Sequence, residues 1–205
     1  MTTQTLPLHA MTHADHLVHP EEYSDVRLDS PALALFTDFR RHDPLVIDGW
    51  TRAVDAERAM RESHTRLRLV VDHQGEFLGT ITLDDLSERQ VIRKVADGER
   101  REDILVTDLM TPRRSLGALS FEDLQRASVR HVIETLSSHG ERHCLVVDFA
   151  HHAIRGLIAA SDVARRLHMS LHLDPAPTFA TIFAVVHDGR EPATARAVVG
   201  GKGGR

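Results

Sequence analysis

The feature that most constrains this chain is that it repeats itself. Leu35-Phe36-Thr37-Asp38 followed by Arg40 returns 74 positions later as Leu109-Met110-Thr111-Pro112 followed by Arg114. Arg66-Leu67-Arg68-Leu69-Val70-Val71-Asp72 returns 76 positions on as Arg142-His143-Cys144-Leu145-Val146-Val147-Asp148. Gly79-Thr80-Ile81-Thr82-Leu83-Asp84-Asp85-Leu86 returns as Gly156-Leu157-Ile158-Ala159-Ala160-Ser161-Asp162-Val163. One such block is a common apolar run ending in Asp. Three in one order, with drifts of a residue or two, make two homologous halves.

Each half reads as strand, helix, strand, strand, helix. In the first, Thr51 to Ser63 carries Val54, Ala56, Ala59 and Met60 at helical spacing. Leu67 to Val71 and Phe77 to Thr82 are short apolar strands joined by the turn Asp72-His73-Gln74-Gly75, and Asp84 or Asp85 opens the next helix. The second half predicts a helix over Val129 to Ser138, stopped by Gly140, strands at Cys144 to Val147 and Ile154 to Ile158, and a helix from Ser161 to about Met169. Lys94 to Asp103 is charged, contains Gly98 and reads as a solvated connector. Beyond the repeat, Thr178 is placed to cap a helix whose Phe179, Ile182, Phe183 and Val186 form a stripe that packs on its own chain or in a partner groove. The expected division is a weakly ordered segment 1–26, a first unit 27–96, a linker 97–105, a second unit 106–172, a helix within 173–190 and a disordered tail 191–205.

Composition narrows the function. The 205 residues carry 25 Lys and Arg against 30 Asp and Glu, a net charge of −5, which argues against a broad nucleic-acid-binding surface. The first residues lack a basic start and an unbroken apolar run, and no stretch approaches the roughly 20 apolar residues of a bilayer-crossing helix, so no membrane association and a cytoplasmic location are expected. Cys144 stands alone in the chain, inside a strand expected to be buried, where it is poorly placed as a nucleophile. No Gly-x-Ser-x-Gly elbow, Walker loop or His-Glu-x-x-His helix occurs, so an enzyme is not expected. Fifteen His include His9, His13, His16 and His19 near the start and His151-His152 in a turn, which keeps a metal-binding protein as a minor alternative.

The Asp108-Leu109-Met110-Thr111-Pro112 run, the Leu-Val-Val-Asp strand of both halves and the Gly-x-x-Thr-x-x-Asp turn together resemble a tandem pair of cystathionine-β-synthase (CBS) domains over roughly residues 33 to 170. The resemblance implies an α+β fold: two pseudo-twofold-related βαββα units packed sheet to sheet, with clefts between them. In many members the clefts hold adenosine-containing ligands. It also implies a homodimer and a regulatory role toward an effector protein that this sequence does not identify. No cofactor is required; AMP, ADP, ATP or S-adenosylmethionine are the candidate ligands.

Residue by residue, the resemblance gives Thr82 to phosphate or ribose and Asp85 to the ribose diol. The residues agree, since a hydroxyl, a carboxylate and free backbone N–H groups converge where a strand meets a helix. Simple helix capping by Thr82 and Asp85 is the alternative. Asp162 matches Asp85, but Ala159 replaces the hydroxyl and Ser161 reads as a cap, so unequal clefts are expected, the one around Thr82 and Asp85 being the better site. Arg66, Arg68, Arg142 and His143 begin the central strands, where the family often places basic side chains toward phosphates. Strand alternation assigns Arg66 and Arg68 to one face. Val46, Ile47, Leu116 and Leu119, near the Thr37 and Thr111 turns, are candidate adenine walls or plain core. The rival function is a structural dimerisation or scaffold module whose clefts no longer bind.

Overall fold

In the computed structural model, residues 26–138, 140–169 and 177–188 are described. The apolar runs singled out in the sequence form the centre of two four-stranded sheets. β1 is Thr37–Asp38, β2 Val46–Asp48, β3 Leu67–Val71 and β4 Phe77–Thr82; β5 is Thr111–Pro112, β6 Ala118–Ser120, β7 His143–Asp148 and β8 Ala153–Ala159. One sheet has the order β2-β3-β4-β5 and the other β1-β8-β7-β6. The two sheets mirror each other strand for strand. β2 runs parallel to β3 through the helix α1 (Ala53–Glu62), and β3 turns antiparallel into β4. β6 likewise runs parallel to β7 across the helices α4 (Phe121–Arg126) and α5 (Val129–Leu136), and β7 turns into β8. α2 is Glu88–Ala96, α3 Val106–Leu109, α6 Ala160–Arg166 and α7 Phe179–Asp188.

The hairpins show why the turns were readable. Asp72 Oδ1 accepts from the Gln74 and Glu76 N–H groups at 2.8 and 2.9 Å, and Gly75 takes a φ of +84° that a side chain would strain. Asp148 repeats the device in the second hairpin, accepting from the His151 N–H at 3.2 Å.

The halves exchange their lead-in strands, which the repeat alone did not reveal. β5, from the second half, pairs with β4, and β1, from the first, pairs with β8. The exchange explains the recurrent glycines. A Cβ on Gly79 would stand 2.3 Å from the Thr111 carbonyl oxygen, and one on Gly156 would stand 2.1 Å from that of Thr37. Only a residue without a side chain lets the crossing strand approach so closely.

Alternation along the central strands separates core from cleft. Val70 and Ile81 are fully buried with Ala56, Met60, Leu86 and Val91 in a first core; Val146 and Ile158 do the same with Val132, Ile133, Val163 and Phe179 in a second. The C-terminal stripe is buried on its own chain: Phe179 and Ile182 are fully buried, and the Thr178 hydroxyl accepts the Thr181 N–H at 3.2 Å.

Local readings are corrected at four places. Ala59, expected on the α1 stripe, is exposed, while Ala53 completes the buried face. α2 begins at Glu88 rather than at Asp84 or Asp85, because residues 83–86 form a separate turn and Ser87 is extended (φ −62°, ψ 151°). The Lys94 to Asp103 connector is solvated, with none of its residues buried, but it is structured: α2 runs to Ala96, and Arg101 binds both carboxylate oxygens of Glu88 at 2.5 and 2.6 Å. Ile104, within the expected 97–105 linker, is fully buried in the first core.

Candidate functional site

A cleft of about 390 Å³ opens between the sheets. Its floor comes from the side chains that alternation turns away from the cores: Leu67 and Thr80 from the first sheet, His143 and Leu145 from the second. Its rim carries Thr82, Asp84 and Asp85 at the end of β4, Thr111 and Leu116 from the crossing strand and the segment after it, and Arg66, Glu141 and Arg142 just before β3 and β7. Six residues named from the sequence, Thr82, Asp85, Thr111, Arg66, Arg142 and His143, therefore share one hollow.

Thr82 and Asp85 engage each other before anything else. The Thr82 hydroxyl donates to Asp85 Oδ2 at 2.6 Å, the Thr82 N–H donates to the same oxygen at 2.8 Å, and the Asp85 N–H returns a bond to the Thr82 hydroxyl at 3.2 Å. This closed turn fixes both side chains at the cleft wall. It caps no long helix, since α2 starts three residues later. The turn bonds use only Oδ2 of this carboxylate, so one oxygen is held by the fold and Oδ1 is outside the exchange.

Arg142 reaches across the cleft from the second half and forms an ion pair with Asp84 of the first. Asp84 is 72% exposed and Arg142 34%. Arg66 is exposed on the rim and makes no side-chain bond among the described residues. His143 differs from both. Loss of water around its ring pushes its pKa down to about 4, with Asp162 pulling upward and Arg142 adding to the fall. It is a neutral imidazole at pH 7, able to donate from one nitrogen and accept at the other.

Other named residues are placed elsewhere. Arg68 does not join Arg66 in the cleft lining: it donates to the Val46 carbonyl at 3.2 Å and the Ser63 hydroxyl at 2.9 Å. Val46 lies on the outer strand with an exposed side chain and does not line this cleft. Ile47 packs on the first core and Leu119 on the second, which leaves Leu116 as the apolar wall among those four. Asp162 stands in the first turn of α6 and pairs with Arg165 at 2.5 Å, outside the cleft lining, while Ser161 reaches it. Ala159 is buried at the start of α6. The two matched strand ends are thus unequal: one brings Thr82 and two carboxylates to the hollow, and the other brings Ser161 alone.

Asp84 and Glu141 were not singled out from the sequence. Asp84 was visible only as a helix-start residue, and its partner stands 58 positions away. Cys144 is buried and its thiol is pushed up to about 11, which suits a core residue rather than a nucleophile. His9, His13, His16 and His19 lie outside the described residues, and His151 Nδ1 is bonded to Asp148 at 2.8 Å. A second hollow of about 470 Å³ lies beside α4, lined by Phe36, Asp38, Phe121, Arg155 and Arg166 among others. Among the described residues no helix is long and apolar enough to cross a membrane.

Comparison with known proteins agrees with this architecture. A model of the CBS domain family matches residues 37–91. Among solved structures, an uncharacterized conserved protein from Pyrococcus horikoshii is similar at 22% identity and a TM-score of 0.52, over 72% of this chain and 98% of that one. The CBS-domain containing protein ATU1752 from Agrobacterium tumefaciens is similar at 18% identity and a TM-score of 0.50, over 68% of this chain and 94% of that one. CBSX2, solved in complex with AMP, is similar at 20% identity and a TM-score of 0.49, over 66% and 94% of the two chains. No curated protein matches the sequence.

Proposed function

We propose that this protein, a CBS-domain pair, is a non-catalytic regulatory module that binds an adenosine-containing ligand in the cleft between its halves and signals occupancy to an effector. The observation that carries the reading is the convergence of Thr82, Asp85, Thr111, Arg66, Arg142 and His143 on one hollow of about 390 Å³. That volume falls within the few hundred cubic ångströms usual for small-ligand pockets. The chemistry is suited to a nucleoside. Asp85 keeps a carboxylate oxygen for a ribose diol, neutral His143 and the Thr80 side chain offer hydrogen bonds, Leu67, Leu116 and Leu145 offer an apolar wall for a base, and Arg66 offers a cation for a phosphate.

Signalling follows from where the cleft lies. Its walls come from both halves, so a ligand that touches both favours one relative placement of the two sheets over others. A homodimer would pass that preference to a partner surface, with the protein acting in the cytoplasm.

Thermal-shift and calorimetric titration with AMP, ADP, ATP and S-adenosylmethionine test the reading. At least one should raise the melting temperature of the wild type, and Asp85→Ala should abolish the rise. No response to any of the four would overturn it. A scaffold module is the second reading, favoured by one observation: Thr82 satisfies Asp85 and Asp84 satisfies Arg142, so the cleft is stable without a guest.

A further inference from the structure

The charges around the cleft carry an inference about which ligands it accepts, and it rests on the adenosyl-site reading above. Among the described residues, two guanidinium groups, Arg66 and Arg142, share the lining with three carboxylates, Asp84, Asp85 and Glu141, which gives it a net charge of −1. One of the two cations is already engaged, because Asp84 and Arg142 form an ion pair that joins the halves at the rim. A polyphosphate chain entering here must either displace Asp84 from Arg142 or lie beside three carboxylates with a single unengaged guanidinium. The N-terminus of α2 offers no free N–H groups of the kind that elsewhere receive phosphates, because α2 begins beyond the turn that Thr82 and Asp85 close; Ser161 of α6 and Thr178 before α7 bring hydroxyls to the lining but no cation.

We infer that Asp84 is a specificity-determining residue: by holding Arg142 it makes the cleft a charge filter that admits an adenosyl ligand with at most one phosphate, or with a cationic group, and rejects di- and triphosphates. Removing the Asp84 charge frees Arg142 and turns the lining from −1 to 0, a change that acts on each added phosphate and leaves an uncharged nucleoside untouched. A unit charge a few ångströms from a phosphate at a partly exposed site is worth about tenfold in affinity. His143, neutral at pH 7, adds no compensating positive charge.

The test is calorimetric titration of the full chain with adenosine, AMP, ADP, ATP and S-adenosylmethionine, without divalent cations and at low ionic strength. The wild type should bind AMP and S-adenosylmethionine at least about tenfold more tightly than ATP, with ADP between. Asp84→Asn should close the AMP-to-ATP gap by about tenfold. Glu141→Gln, which leaves Arg142 paired, should close it by less. ATP binding the wild type as tightly as AMP, or an AMP-to-ATP ratio unmoved in Asp84→Asn, would overturn the filter while leaving the adenosyl site standing. If none of the five binds any variant, the site reading itself falls and the filter with it. Because Asp84 is largely exposed, its amide variant is expected to fold; a melting temperature matching the wild type's checks this before any titration is read.

Discussion

The two halves share a backbone plan and differ in what fills it. Where the first half has Leu78 before its close-approach glycine and Pro112 on the crossing strand, the second has Arg155 and Asp38, bonded in two places, with the guanidinium stacked 4.7 Å from the Phe121 ring centroid. Leu67 of the first half corresponds to His143 of the second, and Thr82 to Ala159. The helix faces are closed differently as well. The first core is sealed by Ile104 and Val106 arriving from the connector; the second is sealed by Ala32 and Leu35 from the lead-in and by Phe179 and Ile182 from α7. Gly79 and Gly156 stay the same because each admits a backbone, whereas positions that admit side chains have diverged. Geometry imposed by the main chain is the common part, and chemistry is the part free to differ.

The largest expected effect breaks the charged lock that only the second half possesses. Arg155 and Asp38 are 11% and 19% exposed, and Arg155 Nε is buried with no hydrogen-bond partner. Asp38→Ala leaves a mostly buried cation uncompensated and should cost about 3 kcal/mol in chemical denaturation. The counterpart change, Pro112→Ala, should cost less than about 1 kcal/mol, as a substitution that removes no charge partner. Equal losses at the two positions would show that the ion pair does not distinguish the halves.

Next in size is the exchange of His143 for its counterpart, His143→Leu. With a folded-state pKa near 4 against an ordinary value of 6.5, the unfolded chain binds more protons here between those limits. The contribution is full above about pH 6.5 and is lost as pH falls toward 4. Wild-type stability should therefore drop by about 2 kcal/mol more than the variant's between pH 7 and pH 5. Parallel stability profiles of the two proteins would mean that the ring is better hydrated than its place in the cleft requires.

The central strands were legible because their evidence is local: short apolar, β-branched runs bounded by Asp and Gly turns. The same holds for α7, whose Phe179 and Ile182 fall on one face. The exchange of β1 and β5 was not legible, since two-residue strands carry no pattern and Thr37 pairs with Leu157, 120 positions away. The start of α2 was misread for a different reason. Two successive Asp looked like a cap, but the Thr82 hydroxyl uses Asp85 to close its own turn and Leu86 is drawn into the core before the helix begins. At the site, the family resemblance pointed to Thr82, Asp85, Arg66 and Arg142, and the fold brings all four to one cleft. The resemblance could not identify Asp84 as the partner of Arg142, because that pairing depends on how closely the halves approach.

The smallest effect sharpens the comparison at the strand ends. Ala159 is the N-cap of α6, in extended geometry (φ −105°, ψ 133°) and with no side-chain bond to the helix. Its counterpart Thr82 accepts the Asp85 N–H and donates to the Asp85 carboxylate, and Asp162 occupies the matching position three residues on. Ala159→Thr should rebuild that reciprocal pair. A Thr cap in place of Ala is worth about 1 kcal/mol, which for a chain of this size raises the melting temperature by about 2–4 °C. Asp162 must turn from Arg165 to join it, and that partly exposed pair, three residues apart on one helix, is a small loss by comparison. A fall in stability would place the cause in the packing around Ala159, 8% exposed at a strand end paired with His143. The halves would then differ at this point because the second has filled the space that the first leaves for a hydroxyl.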